Sequence, residues 1–321
     1  MEFSDGGWHF TIGGKPMMRP HDIVALCEAM ECHPGLTGIE ARLKDLDTEG
    51  VDKELIFPQR LFELYIMTDM EMRAEIFGAS NGSIAEPCAK GQGRLFAVMA
   101  PNYWNMSEAG ASVQRCKELG ARCLMVAINP HKDLDGKQVL CNDPKMDALR
   151  EAIADSGIVL CFRIGENIPT AAPGATGTFV LTQMGGFRQN WGMLNFAGVF
   201  DRFPGLKVVF VEAGICWTAS MIHDADMIYT HFPAQVQPKL KHPPSWYWHN
   251  HCYATFMTAP AGRELLHRIG AGRVTWSSDY PHQESTFGYT RGAIQAVFGA
   301  TSAENAQMVP GKTAQTLFRM Y

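Results

Sequence analysis

The sequence lacks the signatures of several common protein classes. Its nine cysteines form no Cys-x-x-Cys pair and no zinc-finger spacing. No apolar run approaches the length of a membrane span, and the start of the chain does not resemble a signal peptide. No basic stripe is present, and the net charge is -5, so phosphate neutralisation is not expected. These absences argue against a zinc finger, a membrane protein, a disulfide-stapled secreted domain and a nucleic-acid binder. We expect reduced thiols in a cytoplasmic protein.

The composition points to a well-packed, enzyme-like globular body. Hydrophobic residues make up 46% of the chain and charged residues only 19%. A length of 321 residues suits one large barrel or two ordinary domains. Because no repeat or low-complexity segment divides the chain, we expect a single domain over residues 1–321.

Short apolar runs alternate with helical stretches along most of the chain. Such alternation predicts an α/β fold with a parallel sheet covered on both faces. Helices are expected near 36–48, 107–119, 143–156 and 218–229, the third with Asp143 as its N-cap. The predicted strands are 50–58, 94–101, 122–127, 157–163, 206–212, 252–256 and 273–278. A closed (β/α)8 barrel needs one more. Before residue 50 we expect only a short hairpin at 6–13 and a helix at 20–30.

Several motifs, taken together and in order, resemble one enzyme family. They are Gly50-Val-Asp, Phe57-Pro, the Asp143-Pro helix start, the segment from Phe200 to Trp217, Ser278-Asp-Tyr-Pro-His282 and Gly311 to Phe318. The chain resembles the amidohydrolase-related superfamily, in the branch of the aminocarboxymuconate-semialdehyde decarboxylase-like enzymes. The resemblance implies a distorted TIM barrel that holds a divalent metal at its strand ends and hydrolyses or decarboxylates its substrate. Residues 1–49 would be a divergent segment, with the first β/α unit truncated or remodelled.

The sequence departs from this family at the metal ligands. The family's first strand carries a His-x-His, whereas this chain has that pattern only at His249-Asn-His251, before a later strand. A further family ligand, a histidine, ends the strand at 157–163, where this chain has Arg163. Arginine is a permanent cation without an acceptor lone pair. The resemblance therefore leaves Asp279 as the family-matched metal ligand, conditional on a zinc or manganese ion being present.

Five residues are candidates for the site. Asp279 would bind metal, act as general base, or cap loop amides. Arg163 would take the metal's place and pair with Asp279, clamp a substrate carboxylate, or be an ordinary strand-end residue. Glu212 would be a general acid or base, or accept from the amides of the loop that follows it. The last two are His282, a proton shuttle or a surface-loop residue, and Trp217, which would stack on substrate or pack the next helix.

Three hypotheses on function follow. The first is a metal-dependent hydrolase of a small carboxylate-bearing or cyclic substrate, with Asp279, Glu212 and His282 as catalytic residues. The second is a nonoxidative decarboxylase, in which Arg163 holds the carboxylate. The third is a catalytically degenerate homologue that binds a ligand or a partner. We expect a homo-oligomer, or a hetero-oligomer with a related barrel chain that closes the open sheet edges left by a missing strand.

Overall fold

The computed structural model describes residues 2–4, 7–9, 11–12, 15–16, 33–129, 131–163, 175–282 and 285–321. Its main element is a seven-stranded parallel sheet. In chain order the strands are β1 (Glu54–Ile56), β2 (Leu95–Met99), β3 (Cys123–Val126), β4 (Val159–Arg163), β5 (Val208–Val211), β6 (Cys252–Phe256) and β7 (Val274–Trp276). Each strand pairs with the next one along the chain, so β1 and β7 are the two edges. All seven predicted strands are confirmed.

The strands are short and apolar because they are covered on both faces. Every residue of β3, β4 and β5 is buried, which accounts for their continuous apolar runs. Parallel pairing also needs a crossover between consecutive strands, and helices supply most of these crossovers. The carboxyl ends of all seven strands therefore lie at the same edge of the sheet.

The helical elements surround the sheet and include several that periodicity did not predict. The α-helices are Pro34–Thr37, Ile39–Glu49, Met70–Lys90, Ala109–Glu118, Asp147–Ser156, Ala175–Phe196, Val199–Arg202, Cys216–His231, Pro244–His251, Pro260–Glu264, Leu266–Ile269, Thr290–Phe298, Ala303–Gln307 and Thr313–Leu317. Shorter 3-10 segments are Gln59–Ile66, Pro144–Met146 and Ala271–Arg273, and Met308–Lys312 is a π-helical turn.

The four predicted helices are present with shifted ends. The Asp143 side chain caps the turn that opens the third of them, accepting from the backbone N–H of Lys145 at 2.9 Å. Several other helices had no predicted counterpart, the longest of them Met70–Lys90, Ala175–Phe196 and Thr290–Phe298.

The sheet is curled, and its two edges face each other across a gap. Leu55 of β1 and Thr275 of β7 line the same cavity although these strands are not paired. Arg42 of the Ile39–Glu49 helix bonds to Glu54 of β1, with Nε 2.7 Å from Oε2. Over the described residues the fold is thus a TIM-like barrel with seven strands, as predicted.

The amino-terminal segment supplies no strand to the main sheet among its described residues. Glu2–Ser4 pairs with Gly7–His9 and Thr11–Ile12 with Lys15–Pro16, both antiparallel. Two small hairpins therefore replace the single one expected at 6–13. The helix predicted at 20–30 lies outside the described residues. No helix of the described chain is long and apolar enough to cross a membrane.

Candidate active site at the strand ends

A cavity of about 300 Å³ opens at the carboxyl ends of the strands, where the two sheet edges face each other. Arg163 is the last residue of β4, Glu212 comes directly after β5, and Asp279 lies beyond β7. Apolar side chains form much of the wall, including Ile56 and Phe318. The volume suits a ring-sized ligand, and the polar groups are concentrated at one place. This combination is typical of a small-molecule site.

Three of the predicted site residues form one buried ion-pair cluster. Arg163 Nη2 lies 2.8 Å from Glu212 Oε2 and 3.6 Å from Asp279 Oδ1. The three side chains are 5%, 14% and 7% exposed, respectively. Arg163 Nη1 also donates to Gln59 Oε1 at 2.7 Å, and the guanidinium carbon lies 5.5 Å from the centre of the Phe57 ring. The expected pairing of Arg163 with Asp279 is therefore present, but Glu212 is the closer partner.

Both carboxylates are carried by left-handed backbone. Glu212 has φ 59° and Asp279 has φ 56°, a region that residues other than glycine seldom adopt. The backbone N–H of Glu212 donates to Thr255 Oγ1 at 2.8 Å, which fixes the turn after β5. The Asp279 carbonyl accepts from the N–H of His282 at 2.9 Å. Such conformations cost about 1–3 kcal/mol each and concentrate at functional sites.

His282 completes a group of three residues with metal-ligating atoms. One such atom from each of Glu212, Asp279 and His282 lies within 4.8 Å of the others. Two oxygens and one imidazole nitrogen are a suitable donor set for zinc or manganese. His282 is half-buried and lines the cavity, so it does not lie on an open surface loop.

The position of Arg163 opposes a metal ion in this group. The guanidinium already contacts the carboxylate oxygens of Glu212 and Asp279. A double and a single positive charge about 4 Å apart repel by roughly 8 kcal/mol at an effective dielectric constant near 20. With Arg163 in this place, the described residues do not fit a divalent ion.

A second polar cluster also borders the cavity. The Tyr280 hydroxyl contacts the Asp45 carboxylate, and its oxygen is 2.6 Å from His33 Nδ1. The Arg42 guanidinium stacks on the Tyr280 ring, 3.8 Å from the ring centre. Burial and the hydrogen bond to Asp45 raise the pKa of the Tyr280 hydroxyl above its ordinary value. This cluster holds the loop that carries Asp279 against the Ile39–Glu49 helix, on which Arg42 and Asp45 lie.

Trp217, the last of the five candidates, lies elsewhere. The Trp217 indole N–H donates to the carbonyl oxygens of Ala213 and Gly214 at 3.0 and 3.2 Å, and its ring packs on Phe187 and Phe210. Trp217 is not among the residues that line the cavity. This placement agrees with helix packing and gives no support to substrate stacking.

The histidine pair of the His-x-His pattern also lies outside the cavity. His249 and His251 are on the Pro244–His251 helix, and His251 Nδ1 is 2.9 Å from the Leu206 carbonyl oxygen. Burial lowers the pKa of both imidazoles, which favours their neutral forms. Neither histidine belongs to a metal-ligating group among the described residues.

Sequence reasoning missed several residues of the site. Gln59, which orients Arg163, directly follows the Phe57-Pro motif, and Tyr280 lies inside the Ser278–His282 motif. Position beside a motif was the signal that would have found both. Asp45 and Thr255 carry no comparable signal, because their partners lie 235 and 43 residues away in the chain.

The chain belongs to the amidohydrolase family, whose model matches residues 29–320. The match confirms the predicted resemblance to this family, and several solved structures with the same fold are decarboxylases. No curated protein matches the sequence.

Solved structures of the same fold share little sequence with this chain. An amidohydrolase from Mycobacterium avium subsp. paratuberculosis is 19% identical with a TM-score of 0.74, covering 90% of this chain and 76% of that one. The 5-carboxyvanillate decarboxylase from Sphingomonas paucimobilis is 23% identical with a TM-score of 0.70, covering 87% and 82%. A dihydroxybenzoic acid decarboxylase from Polaromonas sp. JS666, solved with manganese and 2-nitroresorcinol, is 18% identical with a TM-score of 0.68, covering 87% and 85%. At these identities the likeness establishes the fold alone.

Proposed function

We propose that this protein is a nonoxidative decarboxylase that acts on a small aromatic or unsaturated carboxylic acid. The observation that carries the proposal is the pairing of a buried cation, Arg163, with the acidic groups of Glu212 and Asp279 at a ring-sized cavity. The decarboxylases among the structural neighbours support it. A hydrolase needs an activated water, whereas a decarboxylase needs a cation for the substrate and a proton for the product.

The charges of the cavity assign a role to each residue. Five carboxylates line it (Asp45, Glu49, Glu54, Glu212 and Asp279) against three cations (Arg42, Lys53 and Arg163). Arg42 is bound to Glu54, and Lys53 Nζ donates to the Met320 carbonyl oxygen at 2.9 Å. Arg163 is therefore the cation best placed to meet a substrate carboxylate beside the acids, in a site where burial strengthens electrostatic attraction.

The proton comes from an acid of the same cluster. When the bond between the ring carbon and the carboxylate breaks, its electron pair stays on the ring carbon and carbon dioxide leaves. That carbon then takes a proton from the carboxylic acid of Asp279, which recovers it from water, with His282 as the relay.

The decisive experiment offers the purified protein 2,6-dihydroxybenzoate and 5-carboxyvanillate and measures carbon dioxide release. In deuterated water, we expect one deuterium at the carbon that lost its carboxylate. The Asp279→Asn variant should lower kcat by at least about a hundredfold, since general acid catalysis contributes 10²–10⁴. Arg188→Met is the matched control, because Arg188 pairs with Asp224 on the exposed surface and should leave turnover unchanged.

Other outcomes would support the remaining hypotheses. Tight binding of these acids without release of carbon dioxide would contradict the decarboxylase and favour a ligand-binding homologue. The metal-dependent hydrolase is the second candidate, and the observation in its favour is the proximity of Glu212, Asp279 and His282. Hydrolysis of a lactone or cyclic amide that needs added zinc or manganese would favour it.

We also propose that the protein assembles with a partner chain and lies in the cytoplasm. The unpaired edges of β1 and β7 support a partner chain, either a second copy or a related barrel, and sedimentation of the purified protein tests it. All seven described cysteines are free thiols, which agrees with a reducing compartment such as the cytoplasm.

A further inference from the structure

We infer that Arg163 is the permanent cation of this site and keeps divalent metal ions out of it. Removing its charge should turn Glu212, Asp279 and His282 into a site for zinc or manganese. The inference concerns metal binding and does not depend on the reaction proposed above.

The first support is the convergence of the three donors on the cation. Glu212, Asp279 and His282 place ligating atoms within 4.8 Å of one another, so they are close enough to share one ion. Arg163 Nη2 lies against the carboxylates of two of them, at 2.8 and 3.6 Å. The guanidinium therefore uses the oxygen atoms that a metal would need.

The second support is that Arg163 is held in place from its other side. Its Nη1 group donates to Gln59 Oε1 at 2.7 Å, and only 5% of the side chain is exposed. A long side chain with partners on two sides does not swing out of a buried site at low cost. An incoming ion would have to displace it or remain beside it.

The third support is the charge that remains without Arg163. Glu212 and Asp279 are 14% and 7% exposed, so two buried carboxylates would face each other with no cation between them. Uncompensated buried charges are costly, and binding a cation is one way to neutralise them. Two carboxylates and an imidazole give three protein ligands, the number found in many catalytic zinc sites.

The test compares charge-removing and charge-keeping variants by elemental analysis. Wild type and Arg163→Lys, dialysed against zinc or manganese and then against buffer, should hold less than about a tenth of an equivalent per chain. Arg163→Gln should hold about one equivalent, at least about tenfold more, and added metal should raise its Tm by mass action. Arg188→Met, which removes an exposed arginine, should behave like wild type.

Two results would overturn the inference. One is wild-type protein that retains about one equivalent of metal, lost in Asp279→Asn. The other is a folded Arg163→Gln that binds no more metal than wild type. If Arg163→Gln does not fold, Arg163→Leu removes the charge without adding a metal ligand, and a wild type that retains metal overturns the inference by itself. Failure to release carbon dioxide would refute the proposed reaction without changing any of these metal measurements.

Discussion

The contact between the Ile39–Glu49 helix and β1 should be a main source of stability at the open side of the barrel. Arg42 and Glu54 form two hydrogen bonds, one of them 2.7 Å from Nε to Oε2, and their side chains are 9% and 14% exposed. The same guanidinium stacks on Tyr280 at 3.8 Å. The Arg42→Met substitution keeps much of the side-chain volume but leaves Glu54 buried without its cation.

The expected loss of stability follows from the burial of the Arg42–Glu54 pair. Breaking a buried ion pair by removing one partner costs about 3–5 kcal/mol, and a cation–π contact adds about 1 kcal/mol. We expect the free energy of unfolding to fall by about 4–6 kcal/mol, which is a large part of the roughly 5–15 kcal/mol of a typical domain. Urea unfolding followed by tryptophan fluorescence would measure it.

A double-mutant cycle separates the pair from other effects of the substitution. Arg42→Met and Glu54→Gln together should cost about 2–3 kcal/mol less than the sum of the two single variants. A coupling below about 0.5 kcal/mol would refute the reasoning, because that value is typical of solvated surface pairs. Lys90→Met is the control, since Lys90 and its partner Glu86 are 63% and 71% exposed and the urea midpoint should not move.

Two further predictions use the buried ionisable groups. Burial, with a smaller effect of Arg73, lowers the pKa of His131 from 6.5 to about 4. Between pH 6.5 and pH 4 the His131 imidazole binds a proton in the unfolded chain but not in the folded one. Protonation therefore favours unfolding, and this residue lowers the free energy of unfolding by about 2–3 kcal/mol as pH falls from 7 to 4.5. Between pH 7 and pH 4.5 the urea midpoint of His131→Gln should fall less than that of the wild type. An equal fall in both proteins would contradict this prediction. Burial raises the pKa of Cys88 to about 11 and of Cys116 to about 12, so brief alkylation at pH 8 with peptide mapping should label exposed Cys216 before either. Equally fast labelling of Cys116 would contradict it.

The sheet was predictable because its strands are buried on both faces. Burial on both sides produces runs such as Val208–Val211 that are apolar throughout, and helices separate them along the chain. Parallel order then places all the carboxyl ends at one edge. Together with the barrel curvature that the family resemblance implies, that geometry predicts that Arg163 and Asp279 lie near each other, although 116 positions separate them in the sequence.

Some long helices escaped prediction because their sequences show no clear division into an apolar and a polar face. The Ala175–Phe196 helix contains four glycines and no acidic residue, so it shows no periodic stripe. The cluster of Tyr280, His33 and Asp45 was not predictable either, because it depends on how the helix at the gap meets the loop after β7. Contacts of that kind are set by tertiary packing and leave no local pattern.

The backbone of the two acids argues that the site is functional. A stabilising ion pair needs only two side chains in ordinary conformations, and Arg42 with Glu54 shows that this chain forms one in that way. Glu212 and Asp279 instead hold left-handed backbone at φ 59° and 56°, at a joint cost of about 2–6 kcal/mol. That cost directs both carboxylates to one buried cation at the mouth of a cavity. Glycine at either position would relieve the strain, so the presence of an acid at both positions argues for a role of the side chains.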